Sequence, residues 1–464
     1  MRPRLSGGGG APRRARRSAG RPLARVRWGF AALAALTVTV SGCAVYHRRP
    51  LPAGPDLVGV AALRVPASRF GLPGLKPAPL DPARGFTAVN LMELAVAGDP
   101  QLEAARARAG VADAQLFAAG LLPDPQIAAG LSRSALHTGY SLGLMEDVRA
   151  LLTMHAARKA AAAHARQVNL GILWQEWQVA ERARMLFLRA RELRRLRTVW
   201  APKRRLLRRL YEQDRRQLSA GDVAAGPVAA ALARWTLAEQ AWRTLALQQN
   251  LTWHQIDGLL GLRPGTRLRL RGGPGLHRLS RRRFHAALGA LARRRPDLLA
   301  LRAGYRSAEE KLRVQILRQF PMIGVGVQHA EAADDAVHTF GFDVTLTLPL
   351  FNRNRGAIAI GRARRAYLYR VYQARLDEAE NQADTLYDAA RILRAQLAAV
   401  HAHLRQLERA RQAARASFQR GELDLAAYTR VAADVASAQA QCIALRASLG
   451  RADSALDMLL ALPL

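Results

Sequence analysis

Phe340-Gly341-Phe342-Asp343-Val344-Thr345-Leu346-Thr347-Leu348 is the stretch on which the fold turns. Every second residue is large and apolar, and those between are glycine, aspartate or threonine, so a strand here has one oily and one small-polar face. A partner lies just upstream, where Ile323, Val325 and Val327 alternate with Gly324, Gly326 and Gln328, and the polar segment His329–Thr339 reads as the joining loop. The first half carries a fainter copy: Ile127, Ala129 and Leu131, then Tyr140, Leu142 and Leu144, around a loop Arg133–Thr138. Strands of about 9–11 residues with alternating faces suit a tilted crossing of an outer membrane. A half-buried hairpin of a soluble sheet has the same pattern, but no further strands are readable to complete such a sheet. Four strands cannot close a water-filled barrel, and lipid does not tolerate an open edge. Membrane strands therefore require several chains to pool them, and three copies give an even number, twelve.

Downstream of the strand no proline occurs from Leu350 to Leu462. Arg362 to Arg420 keeps helix-forming composition, Gly421 breaks it, and Asp424 to Met458 forms a second helix. Globular helices average about 11–12 residues, so a helix of this length belongs to a coiled coil or a helical barrel. Leu393, Leu397, Val400, Leu404, Leu407 and Ala414 recur at spacings of three and four, which marks the packed face. The first half repeats the pair as His155–Ser219 and Asp222–Leu262, with Pro202 expected to kink or interrupt the first of them. The whole arrangement is written twice. Asp99-Pro100-Gln101-Leu102 returns as Arg295-Pro296-Asp297-Leu298, Leu122-Pro123 as Phe320-Pro321, and Gly221-Asp222 as Gly421-Glu422, at offsets of 196, 198 and 200 (296 − 100, 320 − 122, 421 − 221). Landmarks in the same order at nearly constant offset describe a duplicated unit of helix, strand, strand and long helix pair.

Residues 1–27 carry nine arginines and no acid, Trp28 to Val40 is apolar, and Val40-Ser41-Gly42-Cys43 follows. A basic stretch, a short apolar run and small residues describe a bacterial export signal, and the run is too short for the ~20 residues of a spanning helix. The expected division is a lipoprotein signal over 1–42, an extended proline-rich tether over 43–85, and repeats over 86–285 and 286–464. Cys442, the only other cysteine, reads as a small core residue. The net charge of +36 falls to +27 without the nine leading arginines (36 − 9). The remaining arginines are spread along helices with few aromatics among them, unlike a nucleic-acid surface.

Several phrases resemble one known family. Leu348-Pro349-Leu350-Phe351-Asn352-Arg353-Asn354-Arg355-Gly356 is similar to the strand-to-helix junction of the outer-membrane factors, the TolC-like efflux channels. Arg295-Pro296-Asp297-Leu298, Ala308-Glu309 and Phe320-Pro321 resemble the opening of that family's second repeat. Leu121-Leu122-Pro123-Asp124-Pro125 resembles the first-repeat junction of the branch that works with heavy-metal exporters, and Val-Ser-Gly-Cys resembles a lipobox that would acylate Cys43. The resemblance implies a mainly α protein with a small membrane β part: a homotrimer with a twelve-strand barrel continued by a long α-helical barrel. It implies a lipid-anchored outer-membrane protein extending into the periplasm, an exit duct docking onto a periplasmic adaptor and an inner-membrane pump of RND or other type. The runner-up is the outer-membrane component of a type I protein secretion system, and a periplasmic adaptor lipoprotein comes after it. Family members carry acids at the tunnel mouth, six and nine residues beyond the glycine matching Gly421; those positions are Ala427 and Arg430 here, which leaves Arg430 as the candidate constriction.

No catalytic constellation emerges from the sequence, and no cofactor, metal or nucleic acid is called for. His401 and His403 are two apart and so do not share a helix face, and no phosphate-binding glycine loop follows a strand. The residues expected to act are structural. Asp343, Thr345 and Thr347 should face the barrel lumen, with Phe342, Val344 and Leu346 toward lipid. Gly221 and Gly421 should reverse the chain at positive φ, Asp222 or Asp424 should cap the returning helices, and Gly221, Asp222, Gly421, Glu422 and Asp424 should form a periplasmic tip that meets the adaptor.

Overall fold

The computed structural model describes residues 44–63, 80–133, 138–273, 275–276, 278–331 and 337–462. Residues 44–56 contain no regular element. Within the rest, the tether is held by short parallel bridges, Val58 to Leu262 and Phe86 to Leu270. Cys43, the anchoring candidate, lies outside the described residues.

The first repeat opens with α1 (Ala88–Gly98) and α2 (Pro100–Ala118). α1 starts where Thr87 and Asn90 satisfy each other's backbone: the Asn90 N–H donates to Thr87 Oγ1 at 3.2 Å and the Thr87 N–H to Asn90 Oδ1 at 3.1 Å. Asp99 caps α2 by accepting from the Leu102 N–H at 2.9 Å, with Pro100 in the first turn. β1 (Gln126–Arg133) and β2 (Thr138–Asp147) follow, then α3 (Val148–Ala220) and α4 (Ala225–Leu259). The second repeat runs α5 (Arg281–Leu288), α6 (Leu291–Arg294), α7 (Pro296–Leu317), β3 (Met322–Glu331), β4 (His338–Thr347), α8 (Arg355–Gln419) and α9 (Leu425–Leu459). α5 spans the 285/286 position read from the sequence as the boundary between repeats, and Ser280 caps it by accepting from the Arg283 N–H.

α3 has 73 residues, about 110 Å at ~1.5 Å per residue. Of the kink or interruption expected at Pro202, the interruption does not occur, since the helix runs through it. Proline removes one backbone bond, and the neighbouring helix compensates. The guanidinium carbons of Arg197 and Arg204, one on each side of Pro202, lie 4.6 and 4.4 Å from the centre of the Trp242 ring on α4. Arg197 also donates to Gln249 Oε1 at 2.6 Å, and Arg204 Nη1 sits 3.0 Å from Glu239 Oε2.

Buried alanines let the long helices approach closely. Ala156, Ala160, Ala180 and Ala183 on α3 and Ala379, Ala383 and Ala390 on α8 are all nearly inaccessible. The stripe of leucines on α8 is its packed face: Leu397 clusters with Leu449 and Ala452 of α9, and half-buried Leu393, Leu445 and Cys442 pack against them. Two larger cores sit where short helices meet the long ones. Leu91, Leu94, Phe187, Ile256 and Leu260 join α1, α3 and α4, and Phe284, Leu298, Leu456 and Leu460 join α5, α7 and α9. The repeats also interlock, since Ser307 of α7 donates to the Ala160 carbonyl of α3 at 2.9 Å.

Candidate functional site

The strands form one antiparallel sheet in the order β1-β2-β3-β4, so the two hairpins join through β2 and β3. Registers carry one face across all four strands. Ala128 pairs with Gly143, Gly143 with Gln328, and Gln328 with Gly341. Met145 pairs with Gly326 and Gly326 with Asp343. Asp343, Thr345 and Thr347 are therefore on the small-polar face with Ser141 and Gln328, and a groove of 400 Å³ runs along it. Phe342, Val344 and Leu346 lie on the opposite face with Ile127, Leu142 and Val327. That face is uncovered: Phe340 is 76% exposed and Phe342 68%. The outer edges of β1 and β4 have no strand beside them among the described residues.

The strands outrun the sequence reading. His329–Glu331 and His338–Thr339 belong to β3 and β4, not to a loop, and Arg133 pairs with Thr138 as the last rung of the first hairpin. The connections that remain, 134–137 and 332–336, lie outside the described residues. The apolar face thus ends in a polar aromatic band. The Tyr140 hydroxyl lies 3.3 Å from His329 Nε2, the His329 and His338 rings stack at 5.6 Å, and His338 Nδ1 is 3.9 Å from Glu331. The period of two continued through these residues, but their polarity hid it.

At the far ends of the long helices the chain reverses twice. Gly221 has φ 83° and Gly421 φ 80°. The Asp222 N–H donates back to the Gln217 carbonyl at 2.8 Å and the Glu422 N–H to the Ser417 carbonyl at 2.9 Å, the same six-residue closure in each repeat. Asp424 caps α9 by accepting from the Ala427 N–H at 2.6 Å. Asp222 caps nothing: the N-cap of α4 is Ala224, with no side-chain bond, because Asp222 matches Glu422 and falls two residues short of the cap. The second turn is better braced. Arg420 donates to both Glu422 oxygens at 2.6 and 2.8 Å, which holds the Glu422 carboxyl below its usual range, and Phe418 stacks on Tyr428 at 5.0 Å. Burial, then the nearby Asp424 carboxylate, pushes the Asp214 carboxyl of α3 up, so the two turns share one end of the bundle. Arg430 is exposed on α9, one turn past Ala427.

Between these ends, a polar layer ties α3 to α9. The Ser454 hydroxyl bonds Glu181, with oxygens at 2.7 and 2.8 Å, Arg184 lies 3.8 Å from Asp457, and Arg451 reaches Glu192 at 2.6 Å. Arg394 of α8 pairs with Asp453. Burial drives the Glu181 carboxyl up to about 7 despite the hydroxyl and the guanidinium beside it. None of this was readable from one-dimensional periodicity, since the partners lie 273 residues apart. Among the described residues no cluster of three His, Cys, Asp or Glu is placed to hold a metal, and no helix is long and apolar enough to cross a membrane.

Residues 287–462 match the family model described as outer membrane efflux protein. No curated protein matches the sequence. The fold is similar to solved structures of CusC, described as forming a transmembrane channel (TM-score 0.66, 14% identity, 86% of this chain and 98% of that one). It is similar to the outer-membrane channel OprN (TM-score 0.68, 16% identity, 90% and 98%) and to the Campylobacter jejuni CmeC outer membrane channel (TM-score 0.66, 13% identity, 80% and 85%). The family model covers the second repeat, and the fold similarity to these solved channels extends over both repeats.

Proposed function

We propose that the chain is the outer-membrane exit duct of a tripartite efflux system, passing substrates from a periplasmic adaptor and inner-membrane pump to the exterior. The observation that carries the reading is the sheet: four strands with a consistent apolar face left exposed, a consistent small-polar face, and two open edges. Such a sheet is unstable alone in lipid or water, and three copies joined edge to edge close a twelve-strand barrel with Asp343, Thr345 and Thr347 toward its lumen. Helices of 73 and 65 residues continue from the strands, long enough to build a tunnel through the periplasm.

In this reading Gly221, Asp222, Gly421, Glu422 and Asp424 form the tip that meets the adaptor, Arg430 stands at the tunnel's narrow end, and Cys43 carries the lipid. Fractionation tests it: the protein should sediment with the outer membrane as a complex of three chains, and recovery as a periplasmic monomer would reject it. Cysteines at Leu423 or Ala426 should cross-link to the adaptor, whereas cysteines at His338 or Thr339 should not. Mass spectrometry of the mature N-terminus should show acylated Cys43; an unmodified residue elsewhere would remove the anchor from the account.

A further inference from the structure

The strand ends that meet the helices lie on one side of the sheet, because Gln126 pairs with Met145, Asp147 with Gly324, and Met322 with Thr347. The residues flanking that end are apolar and uncovered. Leu122 ahead of β1 is 63% exposed, Phe320 ahead of β3 is 57% exposed, and Leu350 and Phe351 beyond β4 are 62% and 91% exposed.

The repeats build this end differently. β2 passes straight into α3 through Asp147, which accepts from the Arg149 N–H at 2.9 Å. Between β4 and α8 stand seven residues, 348–354 (354 − 347). Their turn holds two consecutive non-glycine residues at positive φ, Arg353 at 46° and Asn354 at 53°. Such backbone persists only where the surroundings hold it. The Asn354 amide donates to the Gln315 carbonyl and Oε1 on α7 at 2.7 and 3.0 Å, and Arg355 Nη2 donates to the Phe351 carbonyl at 3.2 Å. An anchored turn thus displays a phenylalanine to the outside. Beside it Arg318, Arg353 and Arg355 are exposed and take part in no ion pair with the described residues.

We propose that this turn is a phospholipid-headgroup clamp, one per chain. Phe351 and Leu350 seat at the acyl–glycerol boundary of the leaflet nearest the helices, and Arg318, Arg353 and Arg355 bind the phosphates of its lipids. The inference rests on the reading of the sheet as membrane-spanning. Bilayer interfaces favour aromatic rings and long cationic side chains that keep their charge among headgroups. A second copy of the chain is a poorer occupant. Cyclic neighbours meet at the same level, where each would bring the same three arginines and, as exposed acid, Asp124.

The test uses the full chain reconstituted in phosphatidylcholine vesicles with one fifth phosphatidylglycerol, the lipids brominated at shallow or deep acyl positions. In Phe351→Trp the added fluorescence over the parent should be quenched mainly by the shallow bromines, and in Val344→Trp mainly by the deep ones. An unquenched Trp at 351 with a quenched Trp at 344 overturns the clamp and leaves the membrane sheet standing; two unquenched positions overturn the membrane reading itself. In native mass spectra, the Arg318→Gln, Arg353→Gln, Arg355→Gln triple variant should retain several-fold fewer phosphatidylglycerol molecules than the parent. Equal retention rejects the role of the arginines.

Discussion

Glu181 holds a proton through most of the acidic range because burial outweighs the bond from Ser454 and the charge of Arg184. A carboxyl raised to about 7 in the folded chain and near 4.5 in the unfolded one stabilises the fold fully below 4.5. That contribution is lost as pH rises through about 7, at a cost on the order of 3 kcal/mol by pH 8. Asp457, facing it from α9, adds to the cost once Glu181 ionises. Glu181→Gln should therefore raise the unfolding midpoint at pH 8 and leave it nearly unchanged at pH 4; denaturant titrations at the two pH values check this, and a parent protein with flat pH dependence would contradict it. Gly421 presents a different single-residue demand. Its φ of 80° costs a branched side chain about 1–2 kcal/mol, so Gly421→Val should abolish efflux complementation while assembly in the outer membrane persists. Gly421→Asn, which tolerates that conformation, should retain most activity.

The elements show where sequence reading reaches and where it stops. Strands were legible because a period of two survives in one dimension, and α8 and α9 because no proline falls between Leu350 and Leu462. Strand ends were misread where His329, Glu331 and His338 carried polar groups on the apolar face, since their Tyr140 partner lies on another hairpin. The Asp222 cap failed for a local reason, a two-residue offset that only the helix start at Ala225 reveals. At Pro202 the helix runs on without the interruption that the sequence allowed, and the contacts flanking it come from α4. If Trp242 holds α3 continuous across Pro202, Trp242→Leu should cost about 1–2 kcal/mol through its two cation–π contacts, and less once Pro202→Ala has restored the missing bond. A double-mutant cycle measures that coupling; strict additivity would mean the two features are independent. The sheet's faces are tested by single cysteines: Asp343, Thr345 and Thr347 should react with a water-soluble thiol reagent, and Phe342, Val344 and Leu346 should not. Val344→Arg should destabilise the assembly by about 2–4 kcal/mol if mid-bilayer; uniform labelling would reject the assigned faces.

At the scale of the whole molecule, two repeats share one sheet and one bundle, yet the chain by itself leaves both outer strand edges and an oily face open. The duplication was legible from three landmarks, and the need to pool strands followed from the cost of open edges. What periodicity could not supply is the polar layer of Glu181, Glu192 and Arg451, which welds the repeats through partners far apart in sequence. Some of the arginines pair with acids of other helices, such as Arg106 with Glu176 at 2.7 Å and Arg375 with Asp297 at 2.9 Å. Everything assigned to the membrane rests on closure between copies. Within one chain β1 and β4 are opposite edges of the sheet, so a disulfide between them can form only from one copy to the next. With Cys442→Ala removing the competing thiol, Ala129→Cys should be combined in turn with Phe340→Cys, Phe342→Cys and Val344→Cys, and each variant oxidised in native membranes. The account predicts that one combination yields a covalent ring of three chains; oxidised monomers alone at all three positions would contradict it.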